Sequence, residues 1–154
     1  MKIKFWPESI ATLCGVGYAK KAPGTCGTLA FVPVVFLLSL APPYIYMGFT
    51  IFFIVLSVYA SEAFGKGKDL KVIVVDEAAG LLVSMFLVPL NYKLWILGFL
   101  LFRFFDILKP FPISYLDKNV KGGFGVVLDD LVAGLFTNAL IHFVVLKYFG
   151  DYFL

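Results

Sequence analysis

Cysteine, histidine and charge are all scarce in this sequence, and each scarcity removes a class of protein. Two cysteines, Cys14 and Cys26, are too few for a disulfide framework. Neither starts a Cys-x5-Arg phosphatase loop, because Lys20 and Val32 stand where the arginine belongs. With His142 as the single histidine, no nucleophilic triad is visible. Charged residues make up 15% of the chain, against about 25% in soluble domains. No long apolar run directly follows the first lysines, so a cleaved signal peptide is not expected. Internal repeats and low-complexity tracts are absent. The basic residues flank apolar segments and form no stripe. That arrangement speaks against nucleic acid and for anionic lipid headgroups.

What is abundant is apolar surface. The chain is 61% hydrophobic over 154 residues, more than a soluble fold of this size can bury. Lipid is the remaining solvent for it. Five apolar stretches run over 28–41, 44–61, 78–90, 94–108 and 126–149. A further short segment over 7–16 is expected to form an interfacial helix. Backbone groups in lipid must be satisfied internally, so these stretches are expected to be helices. The expectation is an all-α membrane bundle in one domain, residues 1–154. Several stretches fall short of the ~20 residues a full span prefers, 78–90 most obviously.

The lysines and arginine are distributed unevenly. Lys2, Lys4, Lys20, Lys21, Lys66, Lys68, Lys71, Lys109, Lys118 and Lys121 fall in connections on one side. Lys93 and Lys147 fall on the other, and Arg103 lies inside the fourth stretch. The positive-inside rule then places the N-terminus in the cytoplasm and the C-terminus outside.

Acidic residues within membrane helices are expensive and usually functional. Asp76 and Glu77 open the third stretch, Asp106 lies near the end of the fourth, and Asp129 and Asp130 are expected to open the fifth. The predicted topology puts all five at one face of the membrane. Arg103 and Asp106, three apart, share a helix face. Asp130, Gly134, Asn138 and His142 step by four along another, and Asp76, Gly80 and Ser84 along a third. Gly80 and Gly134 would let neighbouring helices approach closely and draw the carboxylates together.

Clustered carboxylates repel unless a cation joins them. Hard oxygen ligands suit Mg²⁺ or Mn²⁺. Arg103 and Lys109 are placed to hold phosphate charge. The competing reading is that Asp76 and one of Asp129 and Asp130 merely cap helix N-termini. Asp106, toward a helix C-terminus, does not fit that reading. The glycine-rich basic segment 15–28 runs into a helix start, where backbone N–H groups and Lys20 and Lys21 can cradle phosphate. Its alternative is a plain helix start capped by Thr25. His142 lies away from the acids and is expected to make a packing hydrogen bond.

Four blocks together resemble the phosphatidylglycerophosphatase A family. They are Ala22-Pro23-Gly24-Thr25-Cys26-Gly27-Thr28 with Gly15 and Gly17 before it, Asp76-Glu77-Ala78-Ala79-Gly80, the run from Phe102 to Ile113, and the run from Gly122 to Gly134. Departures are small: Cys26 occupies a variable place, and Val127-Leu128 precede the paired aspartates where a methionine is expected. The resemblance implies an all-helical enzyme that removes the terminal phosphate of phosphatidylglycerophosphate with Mg²⁺. It further implies a bacterial cytoplasmic membrane protein with its site facing the cytoplasm.

On that basis Asp76, Glu77, Asp129 and Asp130 are the expected metal ligands, and Asp106 a ligand or general base. Asp130, Arg103 and Lys109 complete the expected catalytic set. Lys20, Lys21, Gly24, Thr25 and Lys109 are the expected substrate contacts. Water or a carboxylate can serve as nucleophile. The alternatives are a hydrolase of another lipid phosphate or pyrophosphate, and a transporter or scaffold that uses the acids otherwise. The sequence carries no sign of oligomeric state.

Overall fold

The computed structural model describes residues 6–66 and 70–153. Lys2, Lys4 and Lys68 of the basic side therefore lie outside the described residues. The described chain is helical, with no strand among the described residues. The helices are α1 (Glu8–Ala11), α2 (Pro23–Ser39), α3 (Pro43–Gly65), α4 (Val75–Ser84), α5 (Tyr92–Leu108), α6 (Ile113–Asn119), α7 (Gly122–Leu140) and α8 (Leu146–Phe153). A 3-10 turn at Val16–Tyr18 follows α1, and a π turn at Ile141–Val145 joins α7 to α8.

Among the described residues, two helices are long and apolar enough to cross a membrane: Pro43–Gly65, with 23 residues, and Gly122–Tyr152, with 31. Helices α2 and α5 have 17 residues each, about 26 Å of rise. The remaining apolar stretches are shorter than a full span, as their lengths in the sequence suggest. The stretch 78–90 in particular breaks: α4 ends at Ser84 after ten residues, about 15 Å, half of an apolar bilayer core. All its residues except Glu77 and Val83 are buried, because α2, α3, α5 and α7 pack around it.

A helix that stops inside the packed bundle leaves carbonyls without partners. Here polar side chains from the surrounding helices meet them. The Tyr46 hydroxyl donates to Leu82 O (2.8 Å), and Asn138 Nδ2 donates to both Ser84 O (3.1 Å) and Phe86 O (2.8 Å). Trp95 Nε1 donates to Pro89 O (3.2 Å), and a ring nitrogen of His142 lies 3.2 Å from Leu87 O. His142 thus makes the packing contact expected of it. Asn138→Leu is expected to lower stability by about 1–3 kcal/mol, the cost of stranding buried carbonyls. Thermal unfolding in detergent measures this, and an unchanged midpoint would remove Asn138 from that role.

Helix α7 starts earlier than the sequence suggests. The fifth apolar stretch begins at residue 126 in the sequence, but Gly122-Gly123-Phe124-Gly125 before it forms the first turn of the helix. A side chain at Gly123 would stand 2.4 Å from Val58 O, so only glycine lets α7 lie this close to α3. The Glu62 carboxylate of α3 accepts the Gly123 N–H and serves as the cap. Asp129 and Asp130 consequently sit two turns inside α7, not at its opening, and the capping explanation does not apply to them. Nor does Thr25 cap α2, which begins at Pro23 after Ala22, with no side-chain cap.

The outer surface is apolar. Leu29, Leu37, Met47, Ile51, Phe52, Val55, Ile96, Leu100, Leu135 and Phe143 all project from it. Lys20, Lys21, Lys66, Lys71, Lys109, Lys118 and Lys121 cluster where α2, α4 and α7 begin and α3 and α5 end. Lys93 lies at the opposite end, over the Tyr152 ring at 4.1 Å.

Candidate active site

At the lysine-rich end, the starts of α2 and α4, the end of α5 and the first half of α7 enclose a cleft of about 380 Å³. Asp76 and Glu77 enter it from the first turn of α4, and Asp106 from the last turn of α5. Asp129 and Asp130 enter from α7. Ligand atoms of Asp76, Glu77 and Asp130 all lie within 4.8 Å of one another. Asp130 is 3% exposed and Asp76 8%.

Glycines bring them together. A side chain at Gly80 would meet the Phe102 ring at 2.6 Å and Asp130 O at 2.7 Å. One at Gly134 would meet Gly80 O at 2.5 Å. Helices α4 and α7 therefore touch through backbone, and Asp130 is carried against Asp76 and Glu77. Gly24 plays the same part on the far wall. A methyl there would stand 2.0 Å from Glu77 Oε1 and 3.2 Å from Arg103 Nη2.

Two cations edge the acids. Arg103 Nη1 pairs with Asp106 Oδ2 at 2.5 Å, across one turn of α5, and lies 3.9 Å from Glu77 Oε1. It also donates to Thr28 Oγ1 at 3.3 Å. Lys109, in the left-handed conformation that ends α5, sends its Nζ to Asp129 Oδ2 and Asp117 Oδ1, both at 2.6 Å. Partial burial alone would lower the Lys109 pKa. The hydrogen bonds and charges of Asp117 and Asp129 outweigh it and raise the pKa, so the ammonium stays charged.

The donor set suits a hard divalent cation. Its ligands are all carboxylate oxygens, and two buried ones, Glu77 Oε2 and Asp129 Oδ1, have no hydrogen-bond partner. Ionised carboxylates this close repel, and a cation among them would remove the repulsion.

Of the sequence-predicted residues, Gly24, Thr25, Asp76, Glu77, Arg103, Asp106, Lys109, Asp129 and Asp130 all line the cleft. Lys20 and Lys21 do not; they are exposed on the approach to α2. Asp129 stands beside the three converging carboxylates with one oxygen committed to Lys109. Sequence reasoning missed Thr28, Asp117 and Lys71 as contributors. Thr28, four residues after Gly24, shares its helix face and was open to detection. Asp117 reaches Lys109 only because the chain reverses through Pro110 and Pro112.

The architecture is a helical, membrane-type protein whose buried carboxylates, among the described residues, are gathered in one cleft with cationic edges. The chain belongs to the phosphatidylglycerophosphatase A family, whose profile matches residues 9–145. A relative named phosphatidylglycerophosphatase A in Escherichia coli (strain K12) is 35% identical, covering 84% of this chain and 78% of the relative. One of the same name in Haemophilus influenzae is 39% identical, over 82% of this chain and 81% of the relative. A Bacteroides thetaiotaomicron protein, provisionally named a phosphatidylinositol-3-phosphatase, is 34% identical over 89% and 92% respectively. No solved structure matches.

Proposed function

We propose that this protein is a Mg²⁺-dependent lipid phosphatase that hydrolyses phosphatidylglycerophosphate to phosphatidylglycerol and inorganic phosphate. The observation that carries the reading is the convergence of Asp76, Glu77 and Asp130 within 4.8 Å, in a cleft also faced by Arg103 and Lys109. Family membership supplies the substrate class.

In this reading Asp76, Glu77 and Asp130 hold the cation, and Asp129 adds its free Oδ1. When bound, Mg²⁺ supplies Lewis acidity toward a phosphate oxygen and lowers the pKa of water. Arg103 and Lys109 neutralise the phosphate monoester. The N–H groups of the first turn of α2, at Gly24 and Thr25, face the same anion, because a helix start leaves them unpaired. Asp106, oriented by Arg103, takes the proton of the attacking water and returns it to the glycerol oxygen as the P–O bond breaks. Lys20 and Lys21 draw anionic headgroups to the entrance. The chain acts as one domain in the bacterial cytoplasmic membrane, with the cleft toward the cytoplasm. The lysine-rich end supports that orientation.

A second reading, hydrolysis of another lipid phosphate, is favoured by the Bacteroides relative. Phosphate release from phosphatidylglycerophosphate in micelles tests both. EDTA is expected to stop release and Mg²⁺ to restore it. Release that survives EDTA would remove the metal from the mechanism. Folded protein that spares this lipid but cleaves a phosphoinositide would establish the second reading.

A further inference from the structure

An apolar cavity lies along the helices that build the acidic cleft. This cavity, about 230 Å³, opens on the outer surface between α2 and α5, which both pack on α4. Leu29 and Val32 line it from α2, Ile96 and Leu100 from α5, and the buried Leu81 from α4. Trp95 lines it furthest from the cleft along α5.

Each wall extends a helix face that the cleft begins. Leu29 follows Thr25 by four residues, Leu81 follows Glu77 by four, and Leu100 precedes Arg103 by three. Val32 and Ile96 lie one turn further on. At 1.5 Å of rise per residue, the groove runs from about 5 Å to about 12 Å beyond the cleft residues. Leu29, Ile96 and Leu100 are each more than half exposed, so the groove opens sideways onto the apolar surface. The pair of cavities is therefore amphiphilic: charge at one end, hydrocarbon at the other, in register on the same three helices.

We infer that this groove seats one acyl chain of the phospholipid whose phosphate lies in the cleft; the inference rests on the function proposed above. An acyl chain fits because the groove contains no charged side chain and begins one helical turn from the phosphate site. A chain already in lipid gains little hydrophobic free energy by entering a protein groove. Its work there is orientation. With one chain held, the glycerol phosphate is confined to the cleft instead of sampling the leaflet.

The test uses the full chain in lipid nanodiscs and Val32→Phe, which fills the groove without touching the cleft. Turnover is measured on monoacylglycerol phosphates of increasing chain length and on glycerol phosphate without a chain. In the native protein kcat at saturating substrate is expected to rise as the chain lengthens until the groove is full, because the held chain orients the phosphate. Val32→Phe is expected to flatten that rise by about tenfold across the series, leaving the chainless ester unchanged. Partitioning into the disc affects both proteins alike. An identical chain-length dependence in the two proteins would overturn the groove.

A second measurement does not need turnover. Trp6→Phe leaves Trp95 as the single tryptophan, since the chain has two. A monoacyl phosphate brominated along its chain is expected to quench Trp95 saturably, and Val32→Phe to remove the saturable part. Emission without ligand reports that the variant is folded. Saturable quenching with no turnover would leave the groove standing and sink the phosphatase reading. Turnover with unsaturable quenching, equal in both proteins, would do the reverse.

Discussion

Asp130→Asn is expected to abolish turnover while making the metal-free protein more resistant to heat. Asp130 is buried, and its carboxylate shares a 4.8 Å cluster with Asp76 and Glu77. Asparagine keeps the shape, removes one negative charge from the cluster and so relieves repulsion in a poorly solvated site. The same change takes away a hard anionic ligand. Residues that only orient a metal ligand are worth about 10–100-fold, so loss of the ligand itself should exceed roughly 100-fold in kcat. Phosphate release with and without Mg²⁺, alongside thermal unfolding in EDTA, gives both readings. The opposite signs separate a functional carboxylate from a structural one. A variant that turns over at the native rate would end the metal-ligand assignment. One that loses activity by unfolding would make Asp130 structural.

Gly80→Ala should damage fold and site together. The added methyl would lie 2.6 Å from the Phe102 ring and 2.7 Å from the backbone oxygen of Asp130. The ring is fully buried and the oxygen belongs to helix α7, so neither neighbour yields easily. Helices α4 and α7 must separate, at a cost of about 1–3 kcal/mol for an overpacked interior. Separation also moves Asp76 and Glu77 away from Asp130. Thermal protection by Mg²⁺ is therefore expected to shrink more than the unfolding midpoint alone would suggest. Gly48→Ala is the matched control: nothing lies within 4 Å of its missing side chain. There a gain of up to about 1 kcal/mol is expected from helix propensity. Equal behaviour of the two variants would refute the close-packing account.

Much of the site was open to reading in the one-dimensional pattern. Asp76, Glu77, Arg103, Asp106, Lys109, Asp129 and Asp130 stood out because charge inside apolar stretches is rare and demands a reason. The pairing of Arg103 with Asp106 followed from three-residue helical spacing. The stepping of Gly80 and Gly134 on the faces of Asp76 and Asp130 foreshadowed the helix contact. That these residues line one cleft was legible because local helix geometry is carried by sequence alone.

Other features escaped for one shared reason: they depend on contacts between segments far apart in the chain. The third apolar stretch looked like a weak span. It is half a helix, tolerated because Tyr46, Trp95, Asn138 and His142 meet the carbonyls left where it breaks. The start of α7 was misplaced because glycines ordinarily end or precede helices. Here Glu62 and the backbone of α3 make them its first turn. Asp117 joined the site only through the reversal at Pro110 to Pro112.

The sequence was sufficient for the helical class, the family and nearly the whole inventory of charged groups that line the cleft. Those follow from composition, period and motif. Only the packed chain could decide which three carboxylates converge, that Lys109 binds Asp129, and that an apolar cavity forms between α2 and α5. Such facts are distances between helices. Distances are set by how closely glycine-bearing surfaces approach and by which polar groups find partners, and no single segment contains that information.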